Sequence, residues 1–197
     1  MLIFWDQRLI FLATPKAGSS AVEAALEPLA AVAMQRPAAL KHMSAQDFQA
    51  HMLPWLEARA GAPFTTVALM REPIGWLRSW YRFRNRDDFE DPDHPMRGLS
   101  FEAFARDYMA DPRPPHADIG SQSAILCGAD GAPLVDRIFR YENIDGFVHF
   151  LEDRLDCAIT LPRVNVPPAA DVKLSRETET ALERAMATDF ALYRDLA

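Results

Sequence analysis

The segment Pro15-Lys16-Ala17-Gly18-Ser19-Ser20 gathers an ammonium, a glycine and two hydroxyls just before an Ala/Leu/Glu-rich run. The run reads as a helix from about Ser19 to Leu29, and the apolar Arg8–Ala13 ahead of the loop reads as a strand. A strand, a short loop and a helix present backbone N–H groups and the positive end of a helix dipole, which with Lys16 are the parts of an anion cradle. The same residues also suit an ordinary strand-to-helix turn with a surface lysine. G-x-x-x-x-G-K-[ST] is absent and Lys16 precedes Gly18, so an ATPase or kinase reading loses its main support. Proton transfer near neutral pH points to the five histidines, His42, His51, His94, His116 and His149.

The elements that must position these groups follow from apolar periodicity and punctuation. Strand Met1–Trp5 and a tight Asp6-Gln7 turn lead into Arg8–Ala13. A second strand, loop and helix unit appears at Thr65–Met70, Arg71-Glu72-Pro73 and a Trp/Leu/Tyr-rich helix to about Arg84, with Pro73 in the first turn where its missing N–H costs nothing. Ser44-Ala-Gln-Asp47 reads as a cap opening a helix to about Ala60, kinked at Pro54. Helices are expected at Ser100–Tyr108, Gly120–Leu126, Ile144–Arg154 and Ser175–Leu196, and a strand at Val135–Tyr141. Strands alternating with helices predict an α/β domain with a mostly parallel sheet covered on both faces. The polar tract Asn85–Gly98 reads as a surface loop, either a lid or an inert excursion.

At 197 residues with 49% hydrophobic and 25% charged residues, the chain can bury a full core in one domain. Its net charge of −7 argues against coating nucleic acid or anionic membrane, so any polyanion must meet a local basic pocket. The longest apolar runs have strand length, no leader is expected, and the default address is the cytoplasm. Cys127 and Cys157 lack metal-ligand spacing and read as reduced thiols, with no metal expected.

The loop resembles the 5′-phosphosulfate loop of the sulfotransferase family, P-K-[TA]-G-[TS]-[TS], whose donor is 3′-phosphoadenosine 5′-phosphosulfate (PAPS). Arg71-Glu-Pro-Ile-Gly-Trp-Leu-Arg-Ser79 is similar to the family's second motif, an arginine at a strand end and a serine eight residues on. Weaker likenesses are Arg140-Tyr141-Glu142-Asn143-Ile144, Gln122 and Asp189-Phe-Ala-Leu-Tyr193. The family's C-terminal R-K-G-x-x-G segment is missing, and Arg163-Val-Asn165 is the candidate for a partial replacement. The pattern is closer to the Golgi carbohydrate branch without its membrane anchor.

The resemblance implies a P-loop-like three-layer sandwich. It implies that Lys16, Ala17, Gly18, Ser19 and Ser20 hold the 5′-phosphosulfate, and that Arg71 and Ser79 hold the 3′-phosphate. Lys16 would stabilise the departing oxygen. His42, in Lys41-His42-Met43-Ser44, matches the carbohydrate branch's K-H-x-[TS] and is the expected base; Gln122, and His116 ahead of it, are the expected substrate contacts. For Tyr141 and Glu142, a strand end and a helix cap are expected. The expected activity is sulfuryl transfer from PAPS to a hydroxyl, in first place of a carbohydrate, with no nucleic-acid partner and no membrane span. The alternatives are a nucleotide or small-molecule kinase with a degenerate phosphate loop, and a non-catalytic PAPS-binding module.

Overall fold

A computed structural model describes residues 1–85, 93–164 and 170–196. Five strands, β1 (Leu2–Phe4), β2 (Leu9–Leu12), β3 (Val32–Ala33), β4 (Thr65–Met70) and β5 (Arg137–Arg140), form one sheet in the order β3-β1-β2-β4-β5. The pairs β2/β4 and β4/β5 are parallel, whereas β1/β2 and β1/β3 are antiparallel. The sheet is therefore mixed, which corrects the expectation of a mostly parallel one. The tight turn after Phe4 returns the chain beside itself, and two strands joined so closely can only run antiparallel.

Ten helices are described: α1 (Ser19–Leu26), α2 (Ala38–Lys41), α3 (Ala45–His51), α4 (Leu53–Ala60), α5 (Pro73–Arg84), α6 (Phe101–Met109), α7 (Ser123–Leu126), α8 (Ile144–Leu155), α9 (Arg176–Ala185) and α10 (Ala187–Asp195). Because strand side chains alternate, Leu9 and Phe11 of β2 face one side and Ile10 and Leu12 the other. The first pair packs with Val22 and Leu26 of α1 and Phe147 and Leu151 of α8. The second pair packs with Phe48 of α3, Leu56 of α4, Leu126 of α7 and Leu192 of α10. Helices thus flank both faces of the sheet. A third apolar cluster joins Ile74, Trp76, Leu77 and Tyr81 of α5 to Phe101 and Phe104 of α6 and Leu182 of α9.

Several boundaries differ from the sequence reading for local reasons. The helix expected to kink at Pro54 is two helices, because Pro54 sits in the first turn of α4 and begins it. The long C-terminal helix is broken at Met186, the C-cap of α9 and N-cap of α10. The segment expected as a helix from Gly120 begins only at Ser123. Of the tract Asn85–Gly98, residues 86–92 lie outside the described residues, as does Asn165. The end at Met96 is buried against α5 and α6.

Candidate functional site

Three loops leave the carboxyl ends of the parallel strands β2, β4 and β5 and meet. From β2 the chain turns through Lys16, at φ 61°, and Gly18, at φ 82°, into α1. No side chain caps α1, whose first described bond is from the Ala21 N–H to the Gly18 carbonyl at 3.0 Å. The N–H groups ahead of that bond have no partner within the helix. The turn is tied down from the neighbouring loop. The Trp76 indole N–H donates to the Pro15 carbonyl at 2.9 Å, and Arg71 Nη1 donates to the Lys16 carbonyl at 3.4 Å.

From β5 comes Tyr141, whose ring lies against Gly18. A Cβ on Gly18 would stand 2.8 Å from Tyr141 Cε2. Gly18→Ala therefore meets a left-handed backbone and a closed contact together. The expected result is a loss of stability of about 2 kcal/mol in urea unfolding. Wild-type stability in that variant contradicts this geometry.

Arg71 is the hub of the site. Its guanidinium carbon stacks 4.8 Å above the Tyr141 ring, and its Nε is buried without a hydrogen-bond partner. The backbone of Arg71 is gripped by Gln122, whose Oε1 accepts from the Arg71 N–H at 2.9 Å and whose Nε2 donates to the Arg71 carbonyl at 2.8 Å. Gln122 is fully buried, and its amide is spent on that backbone. Its place is thus a support for Arg71, in contrast to the substrate contact expected from sequence. Gln122 is held in turn by Asp189 of α10, which accepts from the Gln122 and Ser123 N–H groups at 3.2 and 2.8 Å. Glu72 caps α5 by accepting from the Ile74 and Gly75 N–H groups. Ser79 is one turn beyond Gly75 on the same helix face and is buried; among the described residues it makes no hydrogen bond with Arg71.

Lys16 sends its ammonium along α5, 4.0 Å from the Phe83 ring centroid and 5.7 Å from that of Trp80. Ala17 and Ser19 are buried, while Gly18 and Ser20 are partly exposed. His42 is the C-cap of α2, and its Nδ1 lies 2.5 Å from the carbonyl of Ala13 at the end of β2. Only an N–H can face a carbonyl at that distance, so Nδ1 carries a proton, and in the neutral imidazole Nε2 keeps its lone pair. Burial holds the His42 pKa below its ordinary 6.5; the Ala13 carbonyl opposes this, and the Lys41 charge adds to it. Lys41 itself is anchored, donating to Glu23 of α1 at 2.5 Å.

His116 is placed differently. Its Nε2 pairs with Asp107 of α6 at 2.7 Å, and its carbonyl accepts from Arg84 at the end of α5. The structure thus brings together Lys16, Gly18 and Arg71, sets His42 on the strand end that feeds the loop, and leaves His116 at the far end of α5.

Tyr141, Trp76 and Asp189 are the contributors that the sequence reading did not assign to the site. The Arg140-Tyr141-Glu142-Asn143 stretch was legible as a strand end but carried no sign that its ring would cover Gly18. Glu142 accepts from the Glu72 N–H at 3.1 Å and from the Tyr193 hydroxyl at 2.8 Å. Burial, seconded by that bond, pushes the Tyr193 hydroxyl up to about 12.

No family model, no curated protein and no solved structure matches the chain in three comparisons. Among the described residues there is no group of three or more His, Cys, Asp or Glu side chains able to hold a metal ion. Nor is any helix among them long and apolar enough to cross a membrane.

Proposed function

We propose that this chain is a sulfotransferase that takes a sulfuryl group from PAPS and passes it to a hydroxyl, in first place that of a carbohydrate. The observation that carries the reading is the contact between two segments 55 residues apart, Arg71 Nη1 on the carbonyl of Lys16. It joins the loop suited to one phosphate-like group to a guanidinium suited to another. The residues fit such a donor: α1 starts without a side-chain cap, Gly18 lets the backbone pass close, and Arg71 keeps a buried Nε without a partner. The strand, loop and helix unit at 9–26 takes the part of a phosphate loop in this reading.

The donor supplies the sulfuryl group on a bisphosphate leaving group. Lys16 and the amides of Gly18, Ser19 and Ser20 hold its 5′ end, and Arg71 with Ser79 holds the 3′-phosphate. The acceptor hydroxyl forms the new S–O bond as the old one breaks. Its proton passes to His42 Nε2, and the charge left on the departing oxygen is met by Lys16. The test is to incubate the protein with sulfur-35-labelled PAPS and a panel of neutral oligosaccharides. Label is expected in a saccharide product, with an equal amount of adenosine 3′,5′-bisphosphate released. Labelled PAPS left intact across saccharide, phenol and steroid hydroxyls contradicts the proposal.

A further inference from the structure

Helix α5 has two unlike sides. Ile74, Trp76, Leu77 and Tyr81 are buried in the apolar cluster with α6 and α9. Gly75, Arg78, Ser79 and Arg82 stand at positions i, i+3, i+4 and i+7, which is one face of a helix. Arg78 and Arg82 are half-buried, and the Nε of each is closed off from solvent without a hydrogen-bond partner. Neither guanidinium has a carboxylate at salt-bridge distance among the described residues. The stripe begins beside Arg71, whose Nε lies 3.6 Å from the position a Cβ on Gly75 would take.

A guanidinium Nε closed off without a partner costs stability, because burial removes water from it that no protein group replaces. Two such groups on one helix face, following Arg71 in the loop before it, make a local concentration of positive charge in a chain whose net charge is −7. The two on α5 are about 6 Å apart along the axis, within reach of one phosphate, sulfate or carboxylate group.

We propose that Arg78 and Arg82 form an oxyanion-binding strip continuous with Arg71. Two sources can bring that oxyanion: the 3′-phosphate of the nucleotide donor, or an acidic group on a saccharide. The first source rests on the function proposed above, and the second does not.

The test measures the affinities of adenosine 3′,5′-bisphosphate, adenosine 5′-monophosphate and dextran sulfate by calorimetry, with uncharged dextran as control. The proteins are wild type, R78Q, R82Q, the double variant, and R59Q at an exposed position on α4. In the absence of ligand the double variant is expected to melt no lower than wild type, since it loses charges that had no partner. It is expected to bind one of the oxyanion ligands about tenfold more weakly or worse, while R59Q changes nothing. A loss confined to the bisphosphate, with the monophosphate unchanged, makes the 3′-phosphate the occupant. A loss confined to dextran sulfate makes it an acidic saccharide. A folded double variant with wild-type affinity for both ligands overturns the strip, as does a wild-type protein that binds neither. A wild-type protein that binds dextran sulfate through Arg78 and Arg82 but does not favour the bisphosphate over the monophosphate removes the donor reading and leaves the strip standing.

Discussion

With His42 replaced by alanine, kcat for sulfuryl transfer is expected to fall by about 10²–10⁴, while the affinity for adenosine 3′,5′-bisphosphate stays within a few fold. The division follows from where the side chain acts. Nδ1 is committed to the Ala13 carbonyl, so only Nε2 is available, and a base touches the acceptor's proton and not the donor's phosphates. The pH dependence has a definite sign. Burial favours the neutral imidazole and holds the pKa under 6.5, so the rate stays level through neutrality and declines only on the acid side of that value. His42→Ala removes this acid limb. The same shift makes the folded protein bind the proton more weakly than the unfolded chain, so His42's contribution to stability is full above pH 6.5 and falls as the pH drops below it. Wild-type turnover in His42→Ala across pH 6 to 9 leaves His42 as no more than the cap of α2.

Replacing Lys16 separates strain from chemistry. A lysine at φ 61° occupies a backbone region that non-glycine side chains rarely adopt. Lys16→Gly is therefore expected to keep or slightly raise the melting temperature, because glycine takes that conformation without penalty. Activity is expected to fall by about 10²–10³, the usual loss when a group that stabilises developing negative charge is removed. Bisphosphate affinity falls as well, since the same ammonium meets the 5′ end before transfer. A Lys16→Gly protein that is more stable and equally active assigns the lysine to the turn alone.

The parts of this account legible in sequence were those governed by local rules. β4 and α5 fall on the residues that the β-branched run Thr65–Met70 and the Pro73 start marked out. Ser44 caps α3 by accepting from the Asp47 N–H, as its spacing with Asp47 suggested. What pairing decides was not legible. β3 is only two residues long and exposed, and it exists because the Ala31 and Met34 N–H groups find the carbonyls of Ile3 and Met1. The repeated strand, loop and helix pattern points to parallel pairing and outweighs the tight turn after β1, which is the one local sign of the antiparallel edge. Within the site, the loop motif and Arg71 could be read from residue types, but their meeting depends on β2 and β4 being parallel neighbours. Gln122 was legible as a candidate site residue, but as a substrate contact. Its grip on the Arg71 backbone, and the hold of Asp189 on it from 67 residues away, come from packing that no local pattern encodes.

The proposed function requires that the Lys16 loop and Arg71 hold two phosphate positions of one ligand at once, and a titration of the purified protein tests this without knowledge of the acceptor. Thermal unfolding is followed with adenosine 3′,5′-bisphosphate, adenosine 5′-monophosphate, or ATP with Mg²⁺ at equal concentrations, in wild type and in Arg71→Ala. The bisphosphate is predicted to stabilise the wild-type protein by about 2.7 kcal/mol at a hundredfold excess over its Kd, with far smaller shifts from the other two, and Arg71→Ala to abolish the difference. Equal shifts for all three nucleotides, or a bisphosphate preference that survives Arg71→Ala, would contradict it.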